Sequence, residues 1–135
     1  MILVDTNVLI AATHALHEHH LIARHLLTLA EEEAGSSQLW RYEYMNVLTR
    51  QARLGHVSFE DGLLGYQFAE TQLYREFGVP PVNAVFGISH RYMVSGRDAV
   101  FLYWAQELDT PLVTFDKKLR RAAPGLTVAP GELTH

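Results

Sequence analysis

A chain of 135 residues is the size of one ordinary domain, and its 48% apolar content and mean hydropathy of −0.01 exclude a disordered chain and a membrane-embedded one alike. The absence of cysteine excludes a disulfide scaffold, a thiolate zinc centre and a cysteine nucleophile. With 11 basic against 15 acidic residues the net charge is −4, which is not the basic footprint of a protein that coats nucleic acid, although an enzyme acting on nucleic acid can carry its acids in a metal site.

No apolar run approaches the roughly 18 residues of a membrane span. The apolar start Met1 to Val4 has no cationic lead and stops at Asp5, so a secretory signal is not expected and a cytoplasmic location is.

Ile2-Leu3-Val4 is apolar on both faces and ends at an acid, and so reads as a buried strand. A helical pattern follows, with Leu21, Ile22, Leu26, Leu29 and Ala30 on one face, and Gly35-Ser36-Ser37 is expected to stop it. Leu39 to Leu54 predicts the next helix, closed by Gly55, with Trp40, Tyr44, Leu48 and Ala52 as its packing stripe. Ser58 and Asp61 suit a capping box for a third helix running to about Phe77. Gly78-Val79-Pro80-Pro81 is the clearest break.

Val82 to Val94 reads as helix again, ended at Ser95-Gly96. Asp98 opens a helix whose next residues, Ala99 to Ala105, are all apolar or aromatic, the mark of a buried helix. Pro111 to Phe115 reads as a second short buried strand ending at Asp116, and a basic turn follows (Lys117, Lys118, Arg120, Arg121). Leu126-Thr127-Val128 suits one more strand. No repeat, low-complexity segment or linker divides residues 1–135, so a single domain is expected. Short apolar strands between long helices predict an α/β fold with a mostly parallel sheet. Ligands in such sheets sit at the carboxyl ends of the strands, where Asp5 and Asp116 stand.

Four of the acids stand out: Asp5 and Asp116 at strand ends, Asp98 at the start of the buried helix, and Glu43 beside the packing stripe. Asn46 and Arg50 follow Glu43 at helical spacing and share its face. Singly, Asp98 and Asp116 suit helix caps, Asp5 a turn and Glu43 a solvated face. Jointly, acids converging on one end of a sheet repel one another, and only a cation or shared protons make the cluster tolerable. Oxygen donors without cysteine suit Mg²⁺ or Mn²⁺, and the chemistry implied is metal-assisted hydrolysis of a phosphodiester.

These segments carry a family resemblance. Met1-Ile2-Leu3-Val4-Asp5-Thr6-Asn7-Val8-Leu9-Ile10 resembles the opening of a PIN domain. Tyr42 to Leu48, with Glu43 followed by Asn46 and Leu48, resembles that family's second acidic motif; Arg97 to Ala105 resembles the third, and Leu112 to Leu119 the last. The order and spacing match along essentially the whole chain.

That resemblance implies a PIN-like three-layer α/β/α domain with a small, mostly parallel central sheet surrounded by helices. Compact PIN domains of this size resemble the VapC-type toxins of bacterial and archaeal toxin–antitoxin pairs. It implies a Mg²⁺- or Mn²⁺-dependent endoribonuclease acting on RNA, usually a homodimer, inhibited by a small cognate antitoxin (VapB-like). It further implies that Asp5, Glu43, Asp98 and Asp116 hold the metal, with Asn7 and Thr114, and Asn46 beside Glu43, as accessory residues. Phe101, Tyr103 and Trp104 are bulkier than that family's usual third-motif residues.

Lys117, Lys118, Arg120 and Arg121 suit either a solvated helix face or contacts to RNA phosphate, as do Arg41, Arg50 and Arg97. His14, His17 and His20 fall at three-residue spacing, but no specific metal pattern is present. They read as a pH-sensitive surface near the substrate groove or the antitoxin. Leu63, Leu64, Phe68 and Phe86 exceed what one small core needs, which predicts partner surfaces. The alternatives are a non-catalytic RNA- or protein-binding module on the same fold, a different phosphohydrolase, and a DNA-directed nuclease of the same broad class, since the choice of RNA rests on the resemblance alone. A phosphoaspartate mechanism would want an acid two positions after Asp5, where Asn7 stands.

Overall fold

The computed structural model describes residues 1–31 and 33–134. Glu32, in the acidic run at residues 31–33, and His135 lie outside the described residues. Five strands form one parallel sheet in the order β3-β2-β1-β4-β5: β1 (Ile2–Val4), β2 (Ala34–Ser37), β3 (Leu73–Phe77), β4 (Leu112–Val113) and β5 (Thr127–Val128). Helices α1 (Thr6–Thr13), α2 (His20–Leu29), α3 (Leu39–Arg53) and α4 (Phe59–Gln72) contribute to one core cluster, and α5 (Val82–Tyr92), α6 (Gly96–Glu107) and α7 (Lys117–Ala122) to another. Adjacent residues of one strand point to opposite faces. Leu3 and Leu112 therefore enter the α5–α6 core, while Val4 and Val113 enter the α1–α4 core. This is the expected three-layer α/β/α arrangement.

The chain departs from the sequence expectations where side chains are small or a helix hands over to an edge. Gly35-Ser36-Ser37 does not merely stop a helix; it is the buried strand β2, between β1 and β3. Its residues lack the branched side chains that mark strands. They are small because space is short: a Cβ on Gly35 would stand 3.1 Å from the Phe77 ring and 3.2 Å from the Met1 sulfur. Buried Ser36 satisfies its hydroxyl by donating to the Val4 carbonyl at 2.8 Å.

The third helix ends at Gln72, and Leu73–Phe77 is the edge strand β3 rather than more helix. Residues 14–19 form turns, and a separate helix, α1, precedes them. The histidine spacing therefore does not lie on one helix face. On α3 the buried stripe comprises Trp40 and Tyr44, with Leu48 partly buried, and Ala52 is exposed. Gly55 adopts φ +75 just beyond α3, a conformation that favours glycine. Ser58 caps α4 as expected, accepting from the Asp61 amide at 3.1 Å. Helix α6 buries Ala99, Phe101, Leu102 and Ala105 and leaves Tyr103 and Trp104 partly exposed, so it is buried on one side rather than all round.

Strand β3 is pinned to α3 by one cation. Arg41 donates Nε and Nη2 to the two oxygens of Glu76 at 2.8 and 2.7 Å, and Nη1 to Glu70 and the Tyr66 hydroxyl at 2.5 and 2.9 Å. The Trp40 indole also donates to Glu76 at 2.7 Å. The bonds from Arg41 hold the Glu76 carboxyl below the usual range, and Arg41 is raised in turn. A carboxyl depressed in the folded state contributes stability above its unfolded value and loses that contribution as pH falls through the folded value. Glu76→Gln is therefore expected to lower the unfolding free energy by about 1–2 kcal/mol at neutral pH. Urea titrations should show the difference shrinking as the pH drops below the ordinary glutamate value of 4.5.

Candidate active site

The sheet order reverses direction at β1, whose two neighbours are β2 and β4. A crevice opens outside the carboxyl ends of strands at such a reversal. Asp5 is the residue immediately after β1 and is fully buried. Its amide donates to the Val113 carbonyl at 2.9 Å, which carries the β1–β4 pairing one residue past the strand. As the N-cap of α1, its Oδ1 accepts from the Thr6 amide at 2.7 Å. Its Oδ2 accepts from the Thr114 hydroxyl at 2.8 Å and from Asn7 Nδ2 at 3.4 Å.

Glu43 lies in the second turn of α3, placed there by the burial of Trp40 and Tyr44 on either side in sequence. Its Oε1 accepts from the buried Thr6 hydroxyl at 2.5 Å. Asp98 is the third residue of α6. The cap of that helix is Ser95, whose hydroxyl accepts from the Asp98 amide at 3.1 Å. Asp98 therefore does not open the helix, and its carboxylate is available to the crevice.

The three carboxylates meet on Arg97. Its Nη2 donates to Asp5 Oδ1 and, at 3.0 Å, to Glu43 Oε1; its Nε donates to Glu43 Oε2; its Nη1 donates to Asp98 Oδ1 at 2.8 Å. The guanidinium lies over the Phe101 ring, 4.6 Å from its centroid. Burial pushes the Asp5 carboxyl up, with Arg97 opposing the shift. Burial also disfavours the charge on Arg97, but its bonds to Glu43 and Asp5 outweigh that and raise it.

Asp116 stands apart from this trio. Its Oδ1 caps α7 by accepting from the Leu119 amide at 3.1 Å. The Thr114 hydroxyl links it to the centre, accepting from the Asp116 amide at 3.1 Å and donating to Asp5. Asn7 ties the same two strand ends together, donating to Thr114 Oγ1 at 3.1 Å and accepting from the Phe115 amide at 3.2 Å. Asn46 and Arg50 are exposed on α3, and among the described residues neither side chain reaches Glu43 by a hydrogen bond. Lys117 and Lys118 are exposed on the first turn of α7, while Arg120 is tethered by Nη1 to the Thr114 carbonyl at 2.7 Å.

Two roles escape sequence reasoning: Thr6 as a donor to Glu43, and Arg97 as the hub of the acids rather than an outward phosphate contact. The only sequence signals are their places next to Asp5 and Asp98.

Beside this centre are two adjoining cavities of about 500 and 760 Å³, which share His14, Leu16, His56 and Val57. The smaller reaches Asn7. Burial holds His14 and His17 below the ordinary imidazole range.

Among the described residues, no three His, Asp or Glu side chains stand close enough to hold a metal ion as arranged. The donor chemistry nevertheless fits a hard divalent cation. All the candidate donors are carboxylate oxygens. When ionised, the three that share Arg97 carry a formal charge of −3 against its +1, leaving −2.

Residues 2–124 match the family model of the PIN domain, and the chain belongs to that family. PIN domains are generally metal-dependent nucleases that bind RNA. A solved structure, the crystal structure of PAE2754 from Pyrobaculum aerophilum, is similar over 98% of this chain and 91% of that one, with a TM-score of 0.79. At 24% identity that likeness is one of fold. No curated protein matches the sequence.

Thr114→Val removes a hydroxyl that serves Asp5, Asn7 and the Asp116 amide while nearly conserving volume. It is expected to lower the unfolding free energy by about 1–3 kcal/mol, because Asp5 is left buried and short of a donor. Thr114→Ser should recover most of that stability in parallel denaturant titrations.

Proposed function

We propose that this chain is a metal-dependent endoribonuclease that hydrolyses RNA phosphodiester bonds, and that it is the toxin of a VapC-type toxin–antitoxin pair. The observation carrying the nuclease reading is the convergence of Asp5, Glu43 and Asp98, from three separate elements, on one cationic group at the β1–β4 crevice. In this reading Asp5, Glu43 and Asp98 hold Mg²⁺, with Asp116 beside them and Mn²⁺ able to substitute. A bound divalent ion acidifies a water and offsets charge on the scissile phosphate.

The chain's own residues set the stage for that chemistry. Thr114 and Asn7 fix the Asp5 carboxylate, and Thr6 turns Glu43 towards it. In this reading Lys117 and Lys118, exposed just beyond Asp116, contact RNA phosphates. Such contacts set affinity without reading sequence. In this reading Asn46 is an accessory residue and Arg50 a further phosphate contact, both exposed on α3 beyond Glu43.

The toxin reading rests on the motif resemblance and on unpartnered apolar surface. Phe59, Leu63 and Leu64 of α4 and Val82 and Phe86 of α5 are exposed. We assign these surfaces to a second copy of the chain and to a VapB-like antitoxin, both acting in the cytoplasm. Among the described residues no helix is long and apolar enough to cross a membrane.

Purified protein freed of any partner is expected to cut RNA with Mg²⁺ or Mn²⁺ and not with EDTA. Asp5→Asn and Asp98→Asn should each lose roughly 100-fold or more of that activity. RNA binding without turnover under any divalent metal would favour the non-catalytic module instead.

Replacing Lys117 and Lys118 by Ala is expected to weaken RNA binding similarly for all sequences. The slope of log affinity against log salt should become shallower by about 0.7 for each phosphate that is no longer neutralised. Filter binding at several salt concentrations measures this.

A further inference from the structure

Among the described residues, five of the six carboxylate oxygens of Asp5, Glu43 and Asp98 are already engaged. Asp5 Oδ1, both oxygens of Glu43 and Asp98 Oδ1 all accept from Arg97, and Asp5 Oδ2 is committed to Thr114 and Asn7. A guanidinium is a broad, flat fork of donors. Asp5 and Glu43 share its Nη2, while Asp98 sits on Nη1, so the three carboxylates are spread over the fork rather than gathered on one point. A divalent cation entering the same space would also meet the Arg97 charge at contact distance, and like charges that close repel strongly where water is scarce.

We propose that Arg97 is a resident counter-cation that competes with the divalent metal for Asp5, Glu43 and Asp98, so that metal entry requires its withdrawal. The inference rests on the metal-site reading above, and it adds a built-in occupant that the ion must displace.

The fold gives Arg97 a way out. It is the second residue of α6, and its side chain retains 30% of its exposure. The cap of α6 is made by Ser95 and the Asp98 amide, without Arg97 atoms, so the side chain can turn outward while the helix end stays in place. Apart from the acids, its close partner is the face of Phe101. Once withdrawn, the guanidinium lies at the mouth of the crevice with a donor fork matched to a phosphate.

Arg97 is also the cation that the three acids share. Removing it leaves Asp5 fully buried beside Glu43 and Asp98 with no cation among them, so the metal-free protein should then depend on metal for stability.

The test compares Mn²⁺ binding to wild type and Arg97→Gln, followed by the electron paramagnetic resonance signal of free Mn²⁺, with thermal melts in EDTA and in Mg²⁺. Arg97→Gln is expected to bind Mn²⁺ roughly tenfold or more tightly. It should melt below wild type in EDTA and show the larger rise when Mg²⁺ is added.

A second measurement needs no Arg97 variant. In ¹⁵N-labelled wild type the Arg97 Nε–H resonance, bonded to Glu43, is expected to shift on Mg²⁺ addition, and Asp5→Asn should abolish that shift. Mn²⁺ affinity equal in the two proteins, with the Arg97 resonance unmoved at saturating Mg²⁺, overturns the competition and leaves the metal site standing. Failure of both proteins to bind Mn²⁺ overturns the competition and the metal reading together.

Discussion

A carboxylate wholly withdrawn from water is the constraint around which this structure is built. Asp5 ends the central strand, caps the first helix and is fully buried, so each of its lone pairs must find a donor inside the protein. Those donors come from far apart in the chain: Thr6 next door, Thr114 from the end of β4, Arg97 from the start of α6. Placing them requires β4 to lie directly beside β1, and α6 to begin close to where both strands stop. The parallel order of the sheet and the position of α6 are thus what make a buried Asp5 tolerable.

The same logic explains which features are written locally in the sequence. Strand β1 and helix α3 announce themselves by apolar runs and spacing, because their burial is two-sided or striped. Asp5, Glu43, Asp98 and Asp116 stand out because acids interrupt such runs. Strand β2 is hidden because Ala34-Gly35-Ser36-Ser37 is selected for smallness, by the Phe77 ring and the Met1 sulfur above Gly35, and not for strand propensity. Strand β3 is hidden because its exposed Tyr74 and Arg75 carry no buried alternation, and its attachment to α3 runs through Glu76 to Arg41, 35 positions earlier. The hub role of Arg97 depends on partners 54 and 92 positions away, which no local pattern records.

Two arginines hold ionic junctions in this small domain, to different effect. Arg41 locks an edge strand to a helix through Glu76, Glu70 and Tyr66, none of which belongs to the acid-lined crevice. Arg97 gathers acids that carry more charge than it can neutralise. Arg41 faces two carboxylates and Arg97 three, so both junctions carry surplus negative charge, and the surplus is larger at Arg97, where one of the acids is fully buried. A larger uncompensated charge around a buried acid favours acceptance of another cation there.

The order in which the strands are made adds a consequence in time. Asp5 is synthesised 109 positions before the Thr114 hydroxyl it needs, and 92 before Arg97. A nascent chain lacking β4 has β1 with one open edge and an acid at its tip that still lacks the Thr114 hydroxyl. Until that strand leaves the ribosome, the crevice has only one wall. Completion of the acidic centre therefore waits on the segment that carries Thr114.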